Sequence, residues 1–584
     1  MSPRTPLLLL VLFILAPAAV LAHNGEYRPP LPPPKIPSQP RAGVPTRPGE
    51  GEKPKGEVTP GPGEETPDLP VPQAPIPEGP RVGMGRQDDR YTAEIWWELN
   101  RHRFLPRPEK SPLRDELISI LLDAAGGGSD TVRERVMLSL GRSGDPRAFK
   151  ALQGASGKGP AGVREAAILA LGFHGETRSA PLLKQVVSDG DATLGRRVYA
   201  VLAIGLLRDP ENTPFIREVL DEEWEPNIRT AAALAAGLIA DPRSVEALGR
   251  IMLGIHPLRS PETARLGDVR IRIGLRCAAA RALGEILTPR CYDYLVQALE
   301  SGSPQVQTAA AMVLAGAPGT AGLPALRRTL EERGPLPLRQ QALLGLAERG
   351  DAVGVKEAAR ILKAAPERDG LMGPIAALSL GLTRDATHSG LLVTVIEDST
   401  ASRETRAAAA LALGLGGYTE ATPALERVIG STRIPRLVGW GIIADALLGG
   451  KIAKSMACRI LEESDLPGPR RDAVMALRIV AAPDTVEILV KELGDSYYVN
   501  RQAALALAAA DPQRAARELS AKLRDENVFA GRFAAHILGV LLDPLPSDRL
   551  TALLARMNLL CGAPVMKACL YVENEYLCRL VRNF

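Results

Sequence analysis

Residues Val163–Val187 read VREAAILALGFHGETRSAPLLKQVV, and this stretch decides the fold. Val163, Ala166, Ala167, Ala170 and Leu171 fall at i, i+3, i+4, i+7 and i+8, the spacing of a helix with one apolar face. Gly172 and Gly175 then interrupt the run, because glycine is the poorest non-proline helix former and readily takes the left-handed conformation that ends a helix. Thr177 or Ser179 is placed to cap a second helix, and Pro181 sits where a missing N–H costs nothing. Leu182, Leu183, Val186 and Val187 supply a second apolar stripe. The stretch predicts two helices joined by a turn, one hairpin.

Versions of it recur from about residue 132 to about residue 554. Aligned on the second residue of the first helix, they give Arg133, Arg164, Arg197, Arg229, Arg276, Gln307, Arg339, Gly373, Arg406, Val438, Arg471, Arg501 and Arg532. All steps but one are 30 to 34 residues. A hairpin repeated at that period cannot bury its apolar face alone and must stack on its neighbours. The expected fold is all-α, an α-solenoid superhelix of about thirteen hairpins. The arginine at the start of each first helix is read as structural, bonding carbonyls or an acidic neighbour in the adjoining unit, in preference to a ladder of anion sites.

Val132, Arg133, Leu140, Gly141, Gly144, Asp145, Pro146, Arg147 and Ala148 give the pattern its clearest form, echoed by Asp241, Pro242 and Arg243 and by Asp209 and Pro210. This resembles the HEAT repeat, in particular the short bacterial type of phycobilisome-lyase-like proteins, over about three quarters of the chain. The resemblance implies an interaction scaffold. It also implies an alternative, a lyase or chaperone-like role toward a chromophore protein, against which export would stand, since such lyases act inside cells.

Outward from the repeats, Arg4, the apolar run Leu7–Leu15, Pro17 and the exit Val20, Leu21, Ala22 read as a secretory signal over 1–22. The run is short for a membrane span, though an uncleaved anchor is the other reading. The mature chain is expected to be exported, periplasmic or extracellular. Residues 23–87 are rich in proline and glycine with little apolar mass, which predicts a disordered, partly polyproline tether. Residues 88–110 carry DDRYTAEIWWELNRHRFL, expected as an N-terminal capping helix that covers the first repeat. Trp96 and Trp97 are alternatively an exposed aromatic platform for a sugar ring or peptide, which would make the protein a carbohydrate or envelope binder. The solenoid is expected over 111–554 and a C-terminal cap over 555–584.

The one long step, Arg229 to Arg276, is 47 residues and places an insertion near GIHPLRSPETARLGDVRIRI. Insertions in solenoids become loops on one face. Arg259, Arg265, Arg270 and Arg272 there suit a carboxylate-rich protein partner.

With 71 basic and 67 acidic side chains the chain has a formal charge of +4, too balanced for the basic excess of a nucleic-acid binder. Cys277, Cys291, Cys458, Cys561, Cys569 and Cys578 form no CxxC, so no zinc ribbon is expected. A disulfide between Cys277 and Cys291, or among the last three, and buried thiols both remain open. No HExxH, GxSxG or P-loop spacing occurs, and neither catalytic residues, metal nor cofactor is expected.

Overall fold

The computed structural model describes residues 92–106, 113–255, 273–332, 334–364, 371–494, 497–524 and 528–542. The chain divides into Ala19–Arg86 and the remainder, which holds the repeats. The first of these, together with the signal, the rest of the tether, the insertion arginines and the C-terminal cap, lies outside the described residues.

Helix α1 is Thr92–Asn100, followed by a 3-10 turn over Arg101–Arg103. Thirteen helix pairs succeed it: α2 Arg114–Gly126 with α3 Asp130–Ser143, α4 Pro146–Gly157 with α5 Ala161–His174, α6 Ala180–Ser188 with α7 Leu194–Leu206, α8 Thr213–Glu222 with α9 Pro226–Ile239, and α10 Val245–Leu253 with α11 Ile273–Ile286. Then come α12 Pro289–Ser301 with α13 Pro304–Gly316, α14 Leu323–Glu331 with α15 Leu336–Glu348, α16 Ala352–Lys363 with α17 Gly373–Thr383, and α18 Ser389–Glu397 with α19 Arg403–Gly416. The last four are α20 Thr422–Ser431 with α21 Pro435–Leu447, α22 Ala453–Glu463 with α23 Pro467–Val480, α24 Val486–Glu492 with α25 Tyr497–Ala510, and α26 Pro512–Leu523 with α27 Val528–Leu542. The chain is an α-solenoid of helical hairpins.

Both helices expected in Val163–Val187 form, as α5 and α6, but they are not each other's main partners. α5 packs on α4 and α6 on α7, so the hairpin is an outer helix with the inner helix that follows it. The recurring arginine is the reason. Arg197 Nε donates to Val187 O at 2.8 Å, Arg229 Nε to Leu220 O at 3.0 Å, Arg276 Nε to Met252 O at 2.8 Å and Arg406 Nε to Ile396 O at 3.0 Å. Each takes up a carbonyl from the last turn of the preceding outer helix, where helical carbonyls lack partners. Gln307 does the same to Leu299. In three places the register differs from the sequence alignment by one: Arg470, not Arg471, bonds Leu461 O, and Arg501 and Arg532 fall one position later in their helices; Arg164 and Arg339, though in register, leave Nε without a hydrogen-bond partner.

The inner helices stack through one repeated contact. Counting Val163 as position one, Gly172 at position ten lies where an added Cβ would stand 2.5 Å from Ala203 Cα, at position eight of the next inner helix. Gly141 meets Ala170, Gly205 meets Ala235, and Gly414 meets Ala444 in the same way. Between α13 and α15 the two partners exchange residues, Ala315 against Gly345. Because position ten always meets position eight, all inner helices run in the same direction.

The stack closes. Gly539 of α27 stands on Ser139 of α3 in that same geometry, Ser139 Oγ donates to Ala535 O at 2.7 Å, and Arg114 of α2 donates to Leu542 O at 2.7 Å. The last pair therefore packs on the first as any pair packs on its neighbour. Thirteen helices about 8–10 Å apart make a ring roughly 33–41 Å across its inner-helix axes.

Candidate interaction surfaces

Because the solenoid closes, its first repeat has no terminal face for a cap to cover. α1 lies instead inside the ring. Glu94, 3% exposed, pairs with Arg436 Nη1 at 2.7 Å and stands 3.8 Å from Arg471 Nη2, at the starts of α21 and α23. Farther along, Arg101 donates to Met475 S at 3.3 Å, Arg103 pairs with Glu348 of α15, and Arg478 donates to Pro106 O at 2.7 Å. A segment of fifteen residues (92–106) that touches α15, α17, α21 and α23 must be on the concave side of the helices that curve around it. The expected cap on the first repeat is thus corrected: Trp96 and Trp97 are 0% exposed, packed with Phe104 at ring-centroid distances of 6.2 and 6.3 Å, within the interior. Buried rings also offer no platform to a sugar. A nine-residue helix is marginal in water, so the helicity of α1 depends on this burial.

These contacts place positions three, seven and eleven of the inner helices on the inward side, with Arg436 just before position one of α21 and Arg478 at position ten of α23. Position seven is Leu169, Leu202, Leu234, Leu344, Leu378, Leu411 and Met475 in seven of them, all buried. The inner surface is therefore not an open concave groove. What remains for a partner is the outer helices and the two edges of the ring.

The edges differ. One carries the turns from inner to outer helices, where the Asp-Pro-Arg motif is consumed structurally. Asp241 caps the turn after α9 by accepting from Arg243 N at 2.9 Å and from Thr213 Oγ1 at 2.8 Å, while Arg243 reaches Pro210 O in the preceding unit at 2.8 Å. The Arg243 guanidinium hydrogen-bonded to Asp241 pulls its carboxyl down to about 2. Asp145 is held below its ordinary range by Arg147 for the same reason.

The other edge carries the outer-to-inner turns and most of the exposed large apolar side chains. Trp224 between α8 and α9 is 60% exposed, Ile255 after α10 is 52%, Ile273 opening α11 is 38%, and Leu466 between α22 and α23 is 58%. The first three come from consecutive pairs, and Ile255 and Ile273 are the described ends of the insertion. Arg259, Arg265, Arg270 and Arg272 lie outside the described residues, between those ends. Trp224 was not singled out in the sequence; its signal was an aromatic in a turn, flanked by Asp221, Glu222, Glu223 and Glu225, off both apolar stripes. Leu466 borders a groove of about 580 Å³ with Ile429, Val438, Met456 and Ile460.

Cys277, Cys291 and Cys458 form no disulfide among the described residues, the first two are buried, and Cys291 Sγ lies 3.2 Å from Thr288 Oγ1. The expected alternative of a Cys277–Cys291 disulfide is not present. Cys561, Cys569 and Cys578 lie outside the described residues. No helix among the described residues is long and apolar enough to cross a membrane.

Residues 115–198 and 273–347 match the family model of HEAT repeats. The chain is similar to human deoxyhypusine hydroxylase in complex with glycerol (18% identity, 57% of this chain and 96% of that one, TM-score 0.21). It is similar also to the Kap95:Nup1 complex (12%, 85% and 74%, 0.37) and to importin beta (13%, 82% and 70%, 0.34). No curated protein gives a significant match.

Proposed function

We propose that this HEAT-repeat ring is an exported, non-catalytic protein–protein interaction scaffold that engages its partner along the outer-to-inner edge around α8–α11. The observation that carries the reading is the clustering of Trp224, Ile255 and Ile273 on one edge of consecutive pairs, at the mouth of the insertion. Exposed aromatic and branched side chains in a contiguous patch are the anchors that interfaces bury, and arginines around them act on association rate and salt dependence. The burial of the ring interior supports the edge over the inner surface. Residues 1–22 direct export in this reading, and residues 23–87 tether the ring. The lyase reading rests on the repeat consensus alone, and the sugar-platform reading loses its basis with the burial of Trp96 and Trp97.

The test is affinity capture from the organism's exported fraction with the mature chain, the Trp224→Ser/Ile255→Ser variant and the variant with Arg259, Arg265, Arg270 and Arg272 all changed to Ser. The reading expects one stoichiometric protein, lost with the apolar variant and bound more weakly at low salt by the arginine variant, with melting temperatures unchanged. Equal capture by all three chains overturns the edge as the binding surface.

A further inference from the structure

The apolar patch on the outer-to-inner edge stands in a strongly acidic setting. The end of α6 and the turn to α7 read SDGDAT over 188–193, and the end of α8 and the turn to α9 read DEEWE over 221–225. Together they hold Asp189, Asp191, Asp221, Glu222, Glu223 and Glu225, with no lysine or arginine. The two turns are neighbours, because Arg197 at the start of α7 pairs with Glu223. The fold does not require this charge: the corresponding turns at 158–160, 302–303 and 432–434 contain no carboxylate.

Part of the acidity fixes the turns themselves. Glu223 Oε1 accepts from Trp224 N at 2.9 Å and from Glu225 N at 3.1 Å, Glu225 Oε1 accepts from Asn227 N at 3.2 Å, and Asp189 Oδ1 accepts from Asp191 N at 3.0 Å. Asp191 and Glu222 are exposed and form no salt bridge among the described residues. Trp224 is thereby held on a tied-down turn: its own N–H is bound to Glu223, and Glu223 is bound in turn to Arg197. Its ring is 60% exposed, with carboxylates on both sides in the chain. The face of a tryptophan attracts a cation more strongly than that of tyrosine or phenylalanine. The same surroundings oppose an anionic partner, since like charges brought together at an interface are costly.

We propose that, given this edge as the binding surface, the partner docks there through a lysine- or arginine-rich segment. One cation of the segment covers the Trp224 ring, and others meet Asp191 and Glu222. Complementary charge speeds the encounter and sets its register, while the fixed turn means that little ordering is left for binding to supply. Ile255 and Ile273, one pair farther along, receive apolar side chains of the same partner.

The test titrates the mature chain into a labelled, end-blocked peptide of alternating arginine and glycine, followed by fluorescence anisotropy, with a glutamate–glycine peptide as its opposite. Trp96, Trp97 and Trp440 are at most 2% exposed, so the tryptophan emission that iodide quenches reports Trp224. The expected result is binding of the arginine peptide alone, weaker as salt rises, with protection of that emission from iodide. Trp224→Leu should weaken binding about two- to fivefold, the range of an exposed contact between a cation and an aromatic ring. Asp191→Asn/Glu222→Gln should weaken it roughly fivefold at low ionic strength and little at high salt. Glu211→Gln/Glu420→Gln, on the opposite edge, should leave it unchanged. All of these side chains are exposed, and circular dichroism checks that each variant is folded. Equal binding of the two peptides, or binding that neither Trp224→Leu nor Asp191→Asn/Glu222→Gln weakens, overturns the inference. So does binding that emerges only when Arg259, Arg265, Arg270 and Arg272 are all changed to Ser, because the occupant is then the chain's own insertion. A captured protein that is lost with Trp224→Ser/Ile255→Ser but held equally by Asp191→Asn/Glu222→Gln leaves the edge in place as the binding surface and overturns only the cationic partner.

Discussion

Closure of the ring makes the substitution Gly539→Ala change sign relative to an open stack. In the ring, an added Cβ would lie 2.4 Å from Ser139 Oγ, 2.7 Å from its Cβ and 2.9 Å from its Cα. Carbon atoms in contact stand about 3.5–4.0 Å apart, so α27 and α3 must separate by roughly 0.6–1 Å. Overpacking of this kind typically costs about 1–3 kcal/mol, against which the better helix propensity of alanine returns about 1 kcal/mol. Gly172→Ala is the matched variant at an internal joint, with Ala203 Cα at 2.5 Å. Gly430→Ala in the exposed helix α20, where nothing lies within 4 Å, is the control and should gain about 0.5–1 kcal/mol. Urea denaturation followed by circular dichroism should rank Gly539→Ala with Gly172→Ala, both below Gly430→Ala by about 1–3 kcal/mol. If Gly539→Ala stabilises as Gly430→Ala does while Gly172→Ala destabilises, α27 has no neighbour and the solenoid is open.

Trp96→Ala or Trp97→Ala should each cost about 3–5 kcal/mol, the usual loss for a fully buried aromatic, seen as a lower midpoint in the same denaturation series; a cost under about 1 kcal/mol would place the rings outside the interior. Gln341 is 0% exposed and neither amide atom has a partner, so Gln341→Met should raise stability by about 1–2 kcal/mol, and a loss of that size would show the amide to be satisfied. Acid should weaken the ring in two separate windows. His536 has a folded value below its ordinary 6.5, so below about pH 6.5 the unfolded chain takes up a proton that the folded one refuses, and stability falls as pH drops; His536→Leu should flatten the slope between pH 7 and 5. Asp241, depressed to about 2, contributes stability present above pH 4 that disappears as pH falls through 2, and Asp241→Asn should remove that second decline, both slopes being read from urea midpoints against pH.

The sequence by itself determined the local structure and its repetition. The apolar spacing in VREAAILALG, the glycine breaks and the Asp-Pro-Arg turns depend on residues within a few positions of each other, and the thirteen-fold recurrence follows from them by counting. The structural role of the arginines was legible too, because a cation recurring beside helix ends has carbonyls within reach. Which outer helix each arginine ties down was not, since a one-dimensional repeat can be cut into hairpins in two phases and only the packing of α4 on α5 selects one. Closure was beyond the sequence for a stronger reason. Whether α27 meets α3 depends on a small rotation per joint summed over thirteen joints, and nothing in Gly539 or Ser139 alone distinguishes a seam from an exposed end. The place of Trp96 and Trp97 followed from that: adjacent buried tryptophans before a repeat array suggested a cap, but once the array has no end, the apolar surface they cover is the interior of the ring. The seam contact of Ser139 with Ala535 belongs to the same class, since residues 396 positions apart in the chain became neighbours only when the first and last repeats met.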